Sequence, residues 1–458
     1  MVDHYDLVVI GAGPAGEKGA AQAAYWGKKV AVVEREAAPG GAMAVSAVAA
    51  KTLREAALYL TGFRRRDLYG VGIDLSAEEA VRRLRERTDR VVETMTAAVV
   101  GNLERHGIDV VHGTARLGPD RTVVVDGGPT LQADVVLIAT GSRPFHPAGI
   151  AFDDPDVLDS ESARQLESPM SSLVVIGGGA IGCEYASIFN ALGTETTLVD
   201  SGKRLLPFMD GEISDALAAT FRSFGMNVLQ DAGHPAVARD SEGLRVELRD
   251  GTVLRPEKVV FAAGRAGNTE NLALEDAGVA TDDRGRVVVD ERYQTSVPGI
   301  YAAGDVIGPP ALASVSMEQG RVAMCFAFDI PFKQTVDPLA PFGVYSIPEA
   351  AMVGHTSESA AAAGLDCESG RSLFDTNARA AIHGNTDGMV KLVFTREDHR
   401  VVGVHVLGES ATELVHQGQA VISLGGTLDW FIHSTFNVPT LSEAYKYAAY
   451  DGLRRVGR

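Results

Sequence analysis

Tyr5-Asp6-Leu7-Val8-Val9-Ile10-Gly11-Ala12-Gly13-Pro14-Ala15-Gly16 is a β-type apolar run that breaks on three glycines in the spacing G-x-G-x-x-G. An alanine-rich helical stretch follows to Trp26-Gly27, and Lys29-Val30-Ala31-Val32-Val33 then leads to the acid Glu34. The same order returns at a constant offset of 166 residues. Leu173-Val174-Val175-Ile176 runs into Gly177-Gly178-Gly179-Ala180-Ile181-Gly182, a helical stretch reaches Leu192-Gly193, and Thr196-Thr197-Leu198-Val199 ends at Asp200. From third glycine to acid the spacing is 18 in both copies.

Each part of this pattern has a physical reason. The first glycine (Gly11, Gly177) permits the tight turn out of the strand, the second (Gly13, Gly179) lets backbone approach a pyrophosphate, and the third (Gly16, Gly182) lets helix and strand pack closely. The helix start offers free N–H groups and a positive dipole end to the phosphates. The closing acid, Glu34 or Asp200, accepts hydrogen bonds from the adenosine ribose hydroxyls. One such turn is weak evidence; two in the same strand, turn, helix, strand, acid order point to two dinucleotide sites. The simplest reason for two sites in one chain is a flavin in one and a nicotinamide in the other, exchanging hydride.

The rest of the composition agrees with that class. At roughly 150 residues per domain, 458 residues allow about three domains with full cores. Apolar residues make up 45% and charged residues 22%, as in ordinary globular proteins. Lysine and arginine number 42 against 60 acids, a net charge of −18 that repels nucleic-acid phosphates and anionic lipid. No apolar run approaches the ~18 residues that span a bilayer. The N-terminus lacks a signal-peptide pattern, so the cytoplasm is the expected location. Cys183, Cys325 and Cys367 lie far apart, without the pairing of a disulfide framework or a thiolate zinc site, and no metal is expected.

Further stretches carry a family resemblance: Val135-Val136-Leu137-Ile138-Ala139-Thr140-Gly141-Ser142-Arg143-Pro144, Ala263-Gly264-Arg265, Ile300-Tyr301-Ala302-Ala303-Gly304-Asp305, Tyr345-Ser346-Ile347-Pro348-Glu349 and Pro439-Thr440-Leu441-Ser442-Glu443. With the paired glycine turns, they resemble the pyridine nucleotide–disulfide oxidoreductases over essentially the whole chain. Lys51-Thr52-Leu53-Arg54-Glu55-Ala56, Ser316-Met317-Glu318-Gln319-Gly320-Arg321 and Thr435-Phe436-Asn437-Val438-Pro439-Thr440 are most similar to the soluble, flavin-dependent pyridine nucleotide transhydrogenases. The resemblance implies an α/β fold with two Rossmann-like domains and a C-terminal α+β interface domain. Their expected bounds are 1–148 and 270–335 for FAD, 149–269 for NAD(P), and 336–458 for a dimer-forming part. A homodimer is implied.

The chain also departs from that family. The segment Gly40-Gly41-Ala42-Met43-Ala44-Val45-Ser46-Ala47-Val48-Ala49-Ala50-Lys51 holds neither of the family's two redox cysteines, and it is one residue shorter than in the related transhydrogenases. Val438 stands where the family has a histidine base, and valine cannot shuttle a proton. Disulfide reduction needs two thiols in series, so electrons are expected to enter and leave the flavin as hydride.

Hydride transfer needs chiefly positioning. By resemblance, Lys51 lies near flavin N5 and Glu184 pairs with it beside the nicotinamide. Asp305, after Gly304, is implied to bind the flavin ribityl and pyrophosphate region. Thr140, Gly141, Gly264 and Arg265 are carried over as cofactor contacts. Pro309-Pro310-Ala311-Leu312-Ala313 is expected to open a helix whose start, at Leu312 and Ala313, faces the flavin pyrimidine edge and stabilises negative charge there. Asp200 favours NAD(H) by repelling a 2′-phosphate, while Lys203 and Arg204 behind it leave NADP(H) possible.

Other signals read as ordinary structure: Arg64-Arg65-Arg66 as a solvated basic run, Glu413 with His416 as a surface helix without a matching second motif, Cys183 as packing, and Leu75–His106 as long amphipathic helices. The leading expectation is an FAD-dependent NAD(P)H oxidoreductase of transhydrogenase type, with a second acceptor still to be identified. The alternative is a reductase or oxidase of a quinone or small biosynthetic intermediate bound where the disulfide is lost. An idle flavin-binding scaffold comes third.

Overall fold

Both glycine turns sit where a parallel strand hands over to a helix. The computed structural model describes residues 3–37, 39–41, 46–63, 68–70, 76–165 and 168–457. They fall into two units. One gathers Met1–Thr52, Glu86–Phe145 and Arg265–Pro338; the other gathers Leu53–Arg85, His146–Gly264 and Leu339–Arg458.

In the first unit, strand Asp3–Ile10 pairs in parallel with Val30–Glu34 on one side and Thr130–Ile138 on the other. Asp109–His112 extends the sheet beyond Val30–Glu34, and Ile300–Ala302 pairs in parallel with Thr130–Ile138. Antiparallel Thr122–Val125 and Ala115–Leu117 complete a seven-stranded sheet. Leu7 and Val9 enter one apolar cluster while Val8 and Ile10 enter another. That is why the strand reads as unbroken apolar sequence: a parallel sheet buried on both faces has no polar side to alternate with.

The second unit repeats the theme with a five-stranded parallel sheet in the order Asn227–Leu229, Glu195–Val199, Ser172–Ile176, Lys258–Phe261, Val157–Asp159. A three-stranded antiparallel sheet, Ala236–Asp240, Gly243–Glu247 and Val253–Leu254, belongs to the same unit. Its C-terminal part is a five-stranded antiparallel sheet, Phe342–Val344, Ala350–Gly354, Val401–Leu407, Met389–Thr395 and Cys367–Leu373. Helices Ala411–Ser423 and Glu443–Arg455 pack on it around Phe394, Phe431 and Tyr445, the last two stacked at 5.0 Å.

The helices after the two glycine turns, Pro14–Tyr25 and Ala180–Ala191, keep the 166-residue offset at both ends. The stretch Leu75–His106, expected to form long amphipathic helices, holds one 29-residue helix among its described residues, Ala77–Arg105. Its run of good helix formers contains neither glycine nor proline before Gly101, so nothing in the sequence interrupts it. Among the described residues no helix is long and apolar enough to cross a membrane.

One buried ionic cluster stands out within the second unit. Asp210, fully buried, caps helix Gly211–Ser223 by accepting from the Glu212 N–H, and it also accepts from the Ser357 N–H at 3.0 Å. The buried Lys391 ammonium lies 2.8 Å from Asp210 and 3.1 Å from Glu212, and Glu212 pairs with Arg371 as well. Burial pushes the Asp210 carboxyl up, but the Lys391 ammonium and the Ser357 amide more than offset that and hold it below its ordinary value. Burial drives His405 beside them the other way, toward the neutral imidazole.

Candidate functional site

The two dinucleotide turns agree in detail. Gly11 has φ +101° and Gly177 φ +116°; a Cβ on either would stand 2.6 Å from a carbonyl oxygen of the neighbouring strand's end, Ala139 in one copy and Ala262 in the other. A Cβ on Gly16 would lie 1.9 Å from the Gly11 oxygen, and one on Gly182 would lie 1.8 Å from the Gly177 oxygen. Gly13 and Gly179 occupy the position before each helix with extended backbone and no side-chain cap. The first N–H groups of each helix are therefore left for an anion.

The acids are held by the same device. Glu34 Oε2 accepts from the Ala12 N–H at 2.8 Å and Oε1 from the Glu36 N–H at 3.0 Å. Asp200 Oδ1 accepts from the Gly178 N–H at 2.9 Å and Oδ2 from the Gly202 N–H at 3.2 Å. One amide on each oxygen fixes the carboxylate and leaves lone pairs for a ribose diol. The copies differ in how they fill the space. The longer Glu34 faces Ala12, whereas Asp200 faces Gly178, where a Cβ would stand 2.7 Å from the Asp200 Cγ and from Leu205.

Around the first turn the first unit brings together the other expected residues. Asp305 accepts from Ser142 Oγ at 2.9 Å and Ser316 Oγ at 3.3 Å, and Arg265 Nε donates to Ser142 Oγ at 2.7 Å. Arg265 thus joins the Asp305 network. Gly304 donates its N–H to the buried Gln319 side chain, and a Cβ there would meet Ala15 at the start of the first helix. Thr140 donates through Oγ1 to the Asn268 carbonyl, whose own amide side chain donates back to the Thr140 carbonyl; the Gly141 carbonyl accepts from the Asn268 N–H. Leu312 and Ala313 are the cap and first residue of helix Ala313–Ala327. Sequence reading missed Ser142, Asn268, Ser316 and Gln319 as individuals, although three of them lie inside stretches quoted for the resemblance.

In the second unit, Gly264 has φ +126° and follows the strand that pairs beside Ser172–Ile176. Glu184, 5% exposed, accepts from the Tyr345 N–H at 2.9 Å. Lys51 is half-buried on helix Val48–Thr61, in the part of that helix that belongs to the first unit. Arg204 is engaged away from Asp200: Nε and Nη2 both lie 3.0 Å from Asp215, and Nη1 is 3.7 Å from Glu358. The expected use of Arg204 for a 2′-phosphate therefore meets a competing carboxylate pair, while Lys203 stays exposed.

The thiols are poor nucleophiles. Burial raises all three, and for Cys183 the Asp200 and Glu184 charges add to the effect. Ala42–Val45, in the stretch where the family carries its cysteine pair, and Arg64–Arg66 lie outside the described residues. Val438, in the place of the family's histidine, is 60% exposed.

Residues 5–320 match the pyridine nucleotide-disulphide oxidoreductase family, and residues 340–449 match the dimerisation domain of the same family. A protein of Mycobacterium bovis named soluble pyridine nucleotide transhydrogenase is 42% identical over 99% of this chain and 98% of its own length. One of the same name from a Marinomonas species is 38% identical over 99% of both. Among solved structures, LpdA from Mycobacterium tuberculosis superposes with a TM-score of 0.88 at 27% identity over the whole of both chains. The HOCl-induced flavoprotein disulfide reductase RclA from Escherichia coli does so with 0.87 at 26% identity, over 97% of this chain and 99% of that one. The doubled glycine cradle and these full-length likenesses lead to one statement: the chain belongs to the pyridine nucleotide-disulphide oxidoreductase family and is an FAD-dependent oxidoreductase that uses a pyridine nucleotide.

Proposed function

We propose that this oxidoreductase is a thiol-free hydride carrier of transhydrogenase type: one reduced nicotinamide nucleotide gives up its hydride and leaves, and a second, oxidised acceptor collects it. The observation that carries this reading is the doubled cradle, two glycine turns with carboxylates pinned by equivalent amides, in a chain whose three thiols are scattered and pushed toward the protonated form. Bound FAD supplies the chemistry of taking up a hydride and passing it on. The chain's residues would do the positioning. Gly11, Gly13, Gly16, Glu34, Thr140, Gly141, Gly304, Asp305, Leu312 and Ala313 would hold the flavin nucleotide, with Arg265 acting through Ser142. Gly177, Gly179, Gly182, Asp200 and Gly264 would hold the nicotinamide nucleotide. Lys51 and Glu184 would orient the reacting rings. We read the FAD part as 1–148 and 270–335, the nucleotide part as 149–269, and 336–458 as the part that makes a homodimer.

A second reading, reduction of a quinone or small intermediate, draws support from one place. A groove of about 660 Å³ is lined by Arg379, His383, Glu413, Asn437, Pro439 and Ser442, next in sequence to the exposed Val438. Anaerobic reduction by NADH followed by mixing with thio-NAD, thio-NADP, a quinone or oxygen separates the two. Prompt reoxidation by a nucleotide analogue is expected, and a variant with all three cysteines replaced by alanine should behave alike. Reoxidation by quinone or oxygen but by neither analogue would replace the transhydrogenase reading with the second one. Failure of either nicotinamide to bleach the flavin would remove both.

The donor is expected to be NADH. The fixed Asp200 carboxylate repels a 2′-phosphate, and Arg204 must leave Asp215 to offset it. The kcat/KM ratio of NADH over NADPH should exceed about 10², and Asp200→Asn should lower it at least about tenfold. An Asp200→Asn variant with an unchanged ratio would show that the discrimination lies elsewhere.

A further inference from the structure

Glu184 does not hold its place alone. Its carboxylate oxygen Oε1 accepts from the Tyr345 N–H, and one turn further on Ser187 Oγ accepts from the Ile347 N–H at 3.0 Å. Two backbone amides of the Tyr345–Glu349 loop thus face helix Ala180–Ala191 two residues apart, and the second of them belongs to the peptide unit that carries the Ser346 carbonyl. The Ser346 carbonyl points the other way and accepts from Arg54 Nε at 2.9 Å. Arg54 is 6% exposed, on helix Val48–Thr61. Its Nη2 lies 3.3 Å from Glu349 Oε1, and its Nη1 pairs with Glu55. Glu349 is fixed in turn: Oε2 accepts from the Thr412 N–H at 3.1 Å and from Thr412 Oγ1 at 2.8 Å, and its carbonyl accepts from the Gly408 N–H at 2.8 Å.

A buried guanidinium is expensive to desolvate and is kept only where several acceptors meet it. Here one of those acceptors is the Ser346 carbonyl, in the same peptide unit as the Ile347 N–H that meets Ser187 on the helix of Glu184. We propose that Arg54, braced by Glu349, is a positioning residue for Glu184: it fixes the Ser346–Ile347 peptide, whose N–H meets Ser187, and so anchors the loop whose Tyr345 amide, two residues back, holds the Glu184 carboxylate in one orientation. The inference rests on the reading of Glu184 as the group beside the nicotinamide. Neither Arg54 nor Glu349 touches a reacting atom in this scheme. A carboxylate released from its amide can swing by about 1 Å, and misplacement on that scale costs a positioned hydride transfer on the order of 10²-fold.

The test uses the flavin-loaded protein. Rapid-mixing measurement of flavin bleaching at saturating NADH should show Arg54→Met slowed about 10–100-fold, with Arg54→Lys recovering part of the loss and calorimetric affinity for ADP-ribose, which lacks the nicotinamide, changed less than about twofold. Hydrogen exchange should speed up at the Tyr345 and Ile347 amides in Arg54→Met, a readout independent of turnover. Because Arg54 acts through Glu184, the double variant Arg54→Met/Glu184→Gln should be no slower than Glu184→Gln alone. If Arg54→Met unfolds, Arg54→Met/Glu349→Leu, which removes both buried charges together, takes its place in every measurement. A slow Glu184→Gln beside an Arg54→Met of wild-type rate and exchange overturns the positioning role and leaves Glu184 its part. Slowing by Arg54→Met that adds fully to that of Glu184→Gln also overturns it. A Glu184→Gln of wild-type rate ends the reading of Glu184 and, with it, this inference.

Discussion

Gly16→Ala is expected to give a colourless protein, and Gly182→Ala a yellow one that NADH no longer bleaches. The two added methyl groups would stand 1.9 Å from the Gly11 oxygen and 1.8 Å from the Gly177 oxygen, whereas carbon and oxygen in ordinary contact keep more than about 3 Å. Relief by a small rotation is closed off. Gly11 and Gly177 are themselves wedged against the Ala139 and Ala262 carbonyls, so the turn must move as a body by about 1 Å or more. That displacement carries away the amides meant for the pyrophosphate and, through Ala12 or Gly178, the amide that steadies the ribose acid. Flavin content in Gly16→Ala should fall below about a tenth of wild type, and the rate of bleaching in Gly182→Ala should fall by more than about 10²-fold. Far-ultraviolet circular dichroism checks that each variant still folds. The division of labour between the two turns would be wrong if Gly182→Ala lost its colour and Gly16→Ala kept it.

The second large effect concerns stability. Lys391→Met leaves the Asp210 carboxylate buried without its ammonium, and losing one partner of a buried pair costs about 3–5 kcal/mol. In a domain of this size that lowers the thermal midpoint by more than about 5 °C. The pH dependence has a definite sign. In the native protein the Asp210 carboxyl is held below its ordinary value, so its contribution is fully present above about pH 4 and fades as pH falls through the folded value. With Lys391 removed, burial dominates and the carboxyl moves above its ordinary value. Protonation then favours the folded state, and the deficit should be greatest near neutrality and shrink toward pH 4. Asp210→Asn added to Lys391→Met should recover part of the loss, because the amide carries no charge and keeps its one oxygen for the Glu212 N–H, while the Ser357 N–H, which meets the other carboxylate oxygen, loses its acceptor. Calorimetric scans between pH 4 and pH 8 measure all three. A deficit that grows on acidification would refute the account.

Much of this was legible in the chain itself, and the reason is local. A glycine turn followed by a helix and an acid constrains neighbours within 24 residues, and sequence spacing records those constraints directly. The helices Pro14–Tyr25 and Ala180–Ala191 follow from it. What sequence did not expose depends on long-range contact. Arg54 and Ser346 are 292 positions apart, Ser142 and Asp305 are 163, and no periodicity links them. Arg204 is a related case: it sits in the loop behind Asp200, and its partners in the structure, Asp215 on the following helix and Glu358 in the C-terminal part, were not legible from that loop. The unbroken helix Ala77–Arg105 was visible as periodicity, though a count of helices could not be taken from it.

The unequal filling of the two ribose corners orders any attempt to convert one repeat into the other. Alanine at 178 beside the short acid collides at once, whereas a glutamate at 200 beside glycine meets no such added methyl and is expected to reach the same amides, as Glu34 already does across from Ala12. Of the two single-step routes between the arrangements only the one that lengthens the acid first stays on folded ground. An engineer, or a lineage, that took the steps in the opposite order would meet a dead end after one substitution.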